Sequence, residues 1–298
     1  SVGGQALTRP SAVCRMLHMD ATPVITLTTD FGLADAYVGT MKGVMLGIAP
    51  DACLVDITHQ IAPQDVHQTA YVLYTVYRFF PSSTVHLVVV DPGVGGARRA
   101  IALRTPRGSF VGPDNGIFSY VMAEQPVDAA VELADPRYHR AQVSQTFHGR
   151  DIFAPAAAHL AAGVPIDQFG PPVLDPVTLP LPQLRVNPGV VVGEVLHVDH
   201  FGNVITSIGR LAWKAEKLTL KPAFRETAAQ EVDFQADEVS ITTEGHEIQG
   251  VRRAYAQVEP GDVLALVGST GHLEISVRQG SGARELGLRA GDPVELRW

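Results

Sequence analysis

Val24 to Thr29 is apolar and β-branched and ends in Asp30-Phe31-Gly32. A short run of this kind closed by turn residues predicts a buried strand. Tyr37, Val38, Met41, Val44, Met45, Ile48 and Ala49 then recur at helical spacing, and Pro50-Asp51 stops the helix. A second strand is predicted over Cys53–Ile57. A second helix carries Val66, Ala70, Leu73, Tyr74, Tyr77 and Phe80 and ends before Pro81. Val85–Val90 repeats the first strand and runs into Asp91-Pro92-Gly93-Val94-Gly95-Gly96. Strand and helix in alternation predict parallel pairing with right-handed crossovers. Two short β-like runs follow, Ile101–Arg104 and Ser109–Val111, and then a helix bearing Ile152, Phe153, Ala156, Ala157, Leu160 and Ala161.

From Gly170 to Pro188 the chain is rich in proline and has no period, which reads as a linker. Beyond it, Val190–Val198, Val204–Ser207, Glu238–Thr242, Val263–Val267, Leu273–Val277 and Val294–Trp298 are short strand candidates separated by Gly, Pro or Asp. That pattern predicts a small antiparallel barrel or sandwich. The expected organisation is an α/β domain over 22–169, a linker over 170–189 and a β domain over 190–298. The first 21 residues have no periodicity and no signal-peptide core, and read as a leader outside the fold.

A length of 298 residues suffices for two cores, and 46% hydrophobic with 18% charged residues marks an ordinary globular chain. A net charge of −8 without a basic run argues against a nucleic-acid partner. No stretch is apolar for long enough to span a bilayer. Two cysteines, Cys14 and Cys53, make no disulfide framework, so the expected compartment is the cytoplasm.

Candidate chemistry sits at strand ends. Ligands of open α/β sheets bind beyond the carboxyl ends of the strands, and Asp30 and Asp91 both stand there, each followed by glycine. Either acid alone reads as a turn or cap residue; the pair points to a site. The loop Asp91 to Arg99 has neither the Gly-Lys-Ser/Thr nor the G-x-G-x-x-G phosphate pattern, but it sets an acid beside Arg98 and Arg99. Its plain alternative is a surface ion pair worth about 0–1 kcal/mol, and at least one of the two arginines is expected in solvent. His148 precedes a helix start, where unpaired N–H groups favour an anion. His197 and His200 have poor metal spacing, and no Cys/His cluster completes them. Asp199-His200-Phe201-Gly202-Asn203 and Gly268-Ser269-Thr270-Gly271 are polar turns that become ligand contacts only if the β domain faces the strand ends.

Thr29-Asp30-Phe31-Gly32, Asp91-Pro92-Gly93-Val94-Gly95, Pro113-Asp114-Asn115-Gly116, Phe147-His148-Gly149-Arg150-Asp151 and Asp199-His200-Phe201-Gly202-Asn203 follow one another in this order. On these motifs the chain resembles the S-adenosyl-L-methionine hydroxide adenosyltransferases, adenosine-forming hydrolases related to fluorinase and chlorinase. The resemblance runs from about Val24 to the C-terminus. It implies a Rossmann-like, mostly parallel N-terminal α/β sandwich, a C-terminal antiparallel β-barrel, and a homotrimer with active sites between subunits. It implies attack of water or hydroxide on the ribose C5′ of S-adenosylmethionine (SAM), with SAM as substrate and no cofactor or metal. The family's Asp–Arg–His triad falls on Asp91, Arg98 and His148. Asp30 matches a contact to the ribose hydroxyls, Asp35 and Asp199 positions around the methionine ammonium, Ser269 one near its carboxylate, and Asn203 an adenine contact. Tyr255 matches an aromatic packed on adenine, and Arg278 lies near the adenine-binding backbone. Phe147 and Gly149, either side of His148, complete the expected substrate-binding set. Fluorinase has serine at Gly149 and tryptophan at Gln64, and it lacks the triad. Hydrolysis is therefore favoured over halogenation; the other readings are a calcium-dependent nucleoside hydrolase and a non-catalytic SAM or adenosine sensor.

Overall fold

The computed structural model describes residues 22–224 and 231–298; the expected leader and Cys14 lie outside them. The first half folds as β1 (Val24–Thr29), α1 (Tyr37–Ile48), β2 (Cys53–Thr58), α2 (Val66–Val76), β3 (Val85–Val89), β4 (Ala100–Thr105), β5 (Gly108–Pro113), α3 (Ser119–Met122), β6 (Ala129–Glu132) and α4 (Ala154–Ala161). Its strands form one sheet in the order β2-β1-β3-β5-β4-β6. β1 pairs in parallel with β2 and β3, and β3 with β5; β4 pairs antiparallel with β5 and β6. The two β-like runs after the glycine loop thus close a hairpin, so the sheet is mixed.

Alternation along β3 shows why its sequence is apolar throughout. Val85, Leu87 and Val89 enter a core with Met41 and Met45 of α1 and Ala154, Ala156 and Ala157 of α4. Val88 enters a second core with Ala70, Leu73 and Tyr74 of α2. Helices cover both faces, and a strand buried on both sides needs apolar residues at odd and even positions alike. α2 is started by Asp65, whose carboxylate accepts the Gln68 backbone N–H at 2.8 Å. The expected helix to Phe80 ends sooner, at Val76, and tightens into a 3-10 turn over Tyr77–Phe79.

The second half comprises β7 (Leu184–Asn187), β8 (Val190–Val198), β9 (Val204–Gly209), β10 (Leu211–Lys214), β11 (Lys217–Leu220), β12 (Val232–Gln235), β13 (Ser240–Thr243), β14 (His246–Gln249), β15 (Val251–Arg252), β16 (Val263–Val267), β17 (His272–Val277), α5 (Gly282–Leu286) and β18 (Pro293–Arg297). Most of these strands lie in one long sheet, β14-β13-β18-β8-β9-β17-β16-β15, with β7 also on β8. The pairing is antiparallel except between β15 and β16. β10, β11 and β12 form a separate antiparallel sheet.

The proline-rich stretch is more structured than its composition suggests. Val173 is buried, Val131 and Pro172 form a β-bridge, and β7 ends the stretch as a strand. Ile205 and Phe224 from the second half share the α2 core, so the halves pack on one another.

Candidate active site

β1 and β3 are neighbours with Thr29 level with Val89. Asp30 and Asp91, each just past its strand, therefore open at the same edge of the sheet. Both line a cavity of about 320 Å³ with Gln64, Phe147, His148 and Gly149.

His148 reaches this edge by way of α4. Residues Gly149–Phe153 form a π-helical turn that runs directly into α4, and the Ala154 backbone N–H donates to the Gly149 carbonyl. Such wide turns are often found at functional sites. Gly149 is buried; a Cβ there would lie 3.2 Å from both Met41 Sδ and Phe147 Cε2. Asp151, fully buried, pins the preceding strap by accepting from the Ser144 backbone N–H at 2.9 Å and from the Arg150 guanidinium at 2.6 and 2.9 Å. The glycine loop closes on the same strap. Gly95 has φ +74°, and a Cβ there would meet the Gln145 carbonyl oxygen at 2.3 Å.

Asp91, Arg98 and His148 form one hydrogen-bonded chain. Arg98 Nε donates to both carboxylate oxygens of Asp91 at 3.0 Å, and Nη2 donates to Asp91 Oδ2 and, at 2.7 Å, to His148 Nδ1. The side chains of Arg98 and Asp91 are 11% and 6% exposed, so the surface-pair alternative does not hold. The guanidinium also lies 5.2 Å from the Phe153 ring centroid. A guanidinium only donates, so Nδ1 accepts and the imidazole is neutral with its proton on Nε2. Burial, and then the charge of Arg98, hold the His148 pKa below the ordinary histidine range. Arg99 turns the other way, to Asp114 at 2.8 Å and Asp175 at 2.7 Å, so it is ion-paired rather than merely solvated. The Pro113-Asp114-Asn115-Gly116 motif supports the loop from behind: Asp114 takes Arg99, and Asn115 Nδ2 donates to the Val90 carbonyl at 2.9 Å.

The remaining expected contacts are elsewhere. Asn203, Tyr255 and Arg278 line a second cavity, of about 700 Å³, that shares no lining residue with the first. Asp199 organises its turn, accepting from the backbone N–H groups of Phe201 and Asn203 and from Asn203 Nδ2, each at 2.9 Å. Tyr255 Oη donates to Glu274, and Arg278 Nη1 to the Val258 carbonyl at 2.5 Å. Asp35 and Ser269 are exposed on turns and line neither cavity.

Two aromatic residues of the first cavity were not among the expected contacts. Phe31 and Tyr37 pack with Phe147, ring centroids 5.1 to 5.9 Å apart, and both line the cavity. Tyr37 has the periodicity of a core helix position, yet it is 48% exposed. His197 packs on the Tyr71 ring instead of pairing with His200, and among the described residues no His/Cys/Asp/Glu group could hold a metal ion.

Residues 25–170 match the model of the SAM hydroxide adenosyltransferase N-terminal domain, and residues 193–295 that of the C-terminal domain. The chain belongs to the SAM hydroxide adenosyltransferase family. Among its relatives, proteins named (R)-S-adenosyl-L-methionine hydrolase are 42% identical in Salinispora tropica (93% of this chain, 99% of that protein) and 40% identical in Thermus thermophilus (92% and 99%). A fluorinase of Nocardia brasiliensis is 28% identical over 92% of the chain and 97% of its own length. A solved structure of a conserved protein from Thermotoga maritima superposes with a TM-score of 0.79 at 37% identity, covering 91% of this chain and 99% of that one. Within this family the hydrolase-named relatives lie nearer to the chain than the fluorinases do.

Proposed function

We propose that this family member hydrolyses SAM to adenosine and L-methionine, with water or hydroxide displacing the methionine sulfur from ribose C5′. The observation that carries this reading is the buried Asp91–Arg98–His148 chain at the mouth of the β1–β3 edge. A C5′–O bond forms, the C5′–S bond breaks with its electron pair going to sulfur, and the water's proton goes to the medium. Hydroxide and sulfonium merge into uncharged products, so a closed, poorly hydrated site favours the transition state over the separated ions.

Arg98 supplies the fixed positive charge that steadies hydroxide, and Asp91 locks the guanidinium fork in place. An imidazole here has two roles open to it, orienting the water or taking its proton. With Nδ1 occupied by Arg98 and the proton on Nε2, the role supported is orientation: Nε2–H donates to the attacking oxygen. Collinear holding of oxygen, C5′ and sulfur contributes about 7–11 kcal/mol in well-aligned systems. Asp30 would grip the ribose for that purpose.

The finer architecture proposed is a Rossmann-like N-terminal domain over 22–169 and a C-terminal barrel over 190–298, joined by 170–189. Of the proposed substrate contacts, Asp30, Phe147 and Gly149 line one cavity and Asn203, Tyr255 and Arg278 another, each with exposed apolar side chains in its lining: Tyr37 and Val94 at the first, Phe201 and Tyr255 at the second. This supports a homotrimer in which the second cavity of one subunit completes the first of its neighbour. The proposal includes no cofactor, and a cytoplasmic setting; no helix among the described residues is long and apolar enough to cross a membrane. Since the relatives' names specify the (R) configuration at sulfur, the same preference is proposed here.

The test is incubation with each sulfonium epimer of SAM in ¹⁸O-water. Adenosine and methionine should form, with the label at C5′ and a preference for the (R) epimer. Absence of label from adenosine would exclude displacement by water, and free adenine as product would favour a nucleoside hydrolase.

A further inference from the structure

Five non-glycine residues among those described have a left-handed backbone: Gln64, Ala215, Phe224, Glu244 and Gln279. Ala215 and Glu244 sit in the tight turns of the β10–β11 and β13–β14 hairpins, where such angles are the rule. Gln64, at φ +67°, is in no hairpin; it lines the first cavity. Its loop is held on both sides. The Asp65 backbone N–H donates to the Ala62 carbonyl at 3.0 Å, the Val66 N–H to the Gln64 carbonyl at 3.0 Å, and the Ala62 N–H to Gln68 Oε1 at 2.7 Å.

The left-handed turn aims the Gln64 backbone N–H at Asp30 Oδ2, 2.8 Å away. Any residue but proline would supply that N–H, and glycine would do so without the Cβ clash that left-handed angles impose. Asparagine and aspartate tolerate such angles by bonding locally through a short side chain, which glutamine is too long to do. Glutamine is therefore a poor choice for the turn and must be explained by its side chain. Among the described residues that amide has no hydrogen-bond partner, and Asp30 makes no ion pair.

We propose that Gln64 is a specificity-determining residue, whose amide binds the vicinal ribose hydroxyls of the substrate beside Asp30. A carboxylate only accepts, whereas an amide both donates and accepts. The two together match a diol, in which each hydroxyl can donate once and accept. The strained backbone keeps amide and carboxylate on the same side of the cavity. This inference rests on the reading of the first cavity as a SAM site.

The test compares Gln64→Ala, which keeps the left-handed strain and removes the amide, with Gln64→Gly, which removes both. Glu244→Gly serves as reference, since it relieves similar strain away from the cavities. Turnover is measured on SAM and on its 2′-deoxy and 3′-deoxy analogues, and thermal unfolding is followed in parallel. Both Gln64 variants should raise KM for SAM about 3- to 10-fold, the worth of one or two neutral hydrogen bonds, with kcat within about twofold. Preference for SAM over at least one deoxy analogue should fall by the same factor. Gln64→Gly and Glu244→Gly should both raise the Tm, and Glu244→Gly should leave KM unchanged. A wild-type KM and wild-type analogue discrimination in Gln64→Ala would overturn the proposal, and so would a KM rise equal for SAM and both analogues. A wild-type protein that yields no adenosine from SAM defeats the hydrolase reading instead.

Discussion

Replacing Arg98 by lysine separates the shape of the guanidinium from its charge. Arg98 holds Asp91 through Nε and Nη2 and reaches His148 with the same Nη2. A lysine ammonium is a point charge on a flexible stem and cannot reproduce that fork. In Arg98→Lys the ion pair with Asp91 survives, because a buried carboxylate recruits the nearest cation, while the 2.7 Å bond to His148 Nδ1 is lost. Hydrogen bonds to charged groups are worth about 1.5–3 kcal/mol. If the bond acts only when His148 must hold the attacking oxygen, that range corresponds to a fall in kcat of about 10- to 150-fold. KM should stay within about twofold, since no ground-state substrate contact is removed. Adenosine release, quantified by chromatography at saturating and limiting SAM, gives both constants, and a thermal unfolding scan confirms that the variant is folded. An Arg98→Lys enzyme within twofold of the wild-type kcat would refute the claim that the fork organises the nucleophile.

Other outcomes follow from the same geometry. Arg98→Ala strands the buried Asp91 carboxylate and should destabilise the fold by about 3–5 kcal/mol, readable by urea unfolding. His148 ionises below the ordinary histidine range, and once charged it can no longer accept from Arg98; kcat should therefore hold through pH 6.5 and decline only at more acid pH, in a pH–rate profile on pre-equilibrated enzyme. His86 and His272 are buried and pushed down to about 4, so the unfolded chain binds their protons first; their stabilisation is full above about pH 6.5 and is lost as pH falls toward 4, about 3 kcal/mol for each, and His86→Phe should flatten that part of the denaturation curve. Gly95→Ala forces a Cβ toward the Gln145 carbonyl in a backbone that disfavours it, and should lower both Tm and kcat by displacing the strap that carries Phe147 and His148.

Most of the first half of the fold was legible because β1, β3, β4 and β5 are buried along almost their whole length and α1, α2 and α4 are long enough for their period to register; α3 and β6, of four residues each, were not. Much of the second half was not. β10, β11, β12, β14 and β15 are two to four residues long, too short for alternation to register, and α5 spans only five residues. β7 was hidden by its proline-rich neighbours, although it pairs with β8 over four residues. In the site, Asp30 and Asp91 were readable as acids ending buried strands, and Arg98 as the neighbour of Asp91 within one loop. Tyr37 was missed because an aromatic at core spacing looks the same whether it faces the core or a cavity, and Phe31 because a turn residue has no period to read.

The contact between Arg98 and His148, fifty residues apart, depends on packing rather than on spacing. Small side chains make it possible. Ala154, Ala156, Ala157 and Ala158 are buried and bring α4 close to α1 and the sheet, so that the π-turn ahead of them projects His148 over the ends of β1 and β3. The strand register fixes the rest. Because successive side chains in a strand point to opposite faces, a one-residue slip between β1 and β3 would turn Leu27 or Leu87 out of its core while moving Asp30 away from Asp91. The hydrophobic pattern that specifies this sheet therefore also specifies the spacing of the two acids. Neither strand can lose its alignment without driving leucines from the core they fill into the one on the opposite face, which is how a site made of loop residues acquires the rigidity of the sheet beneath it.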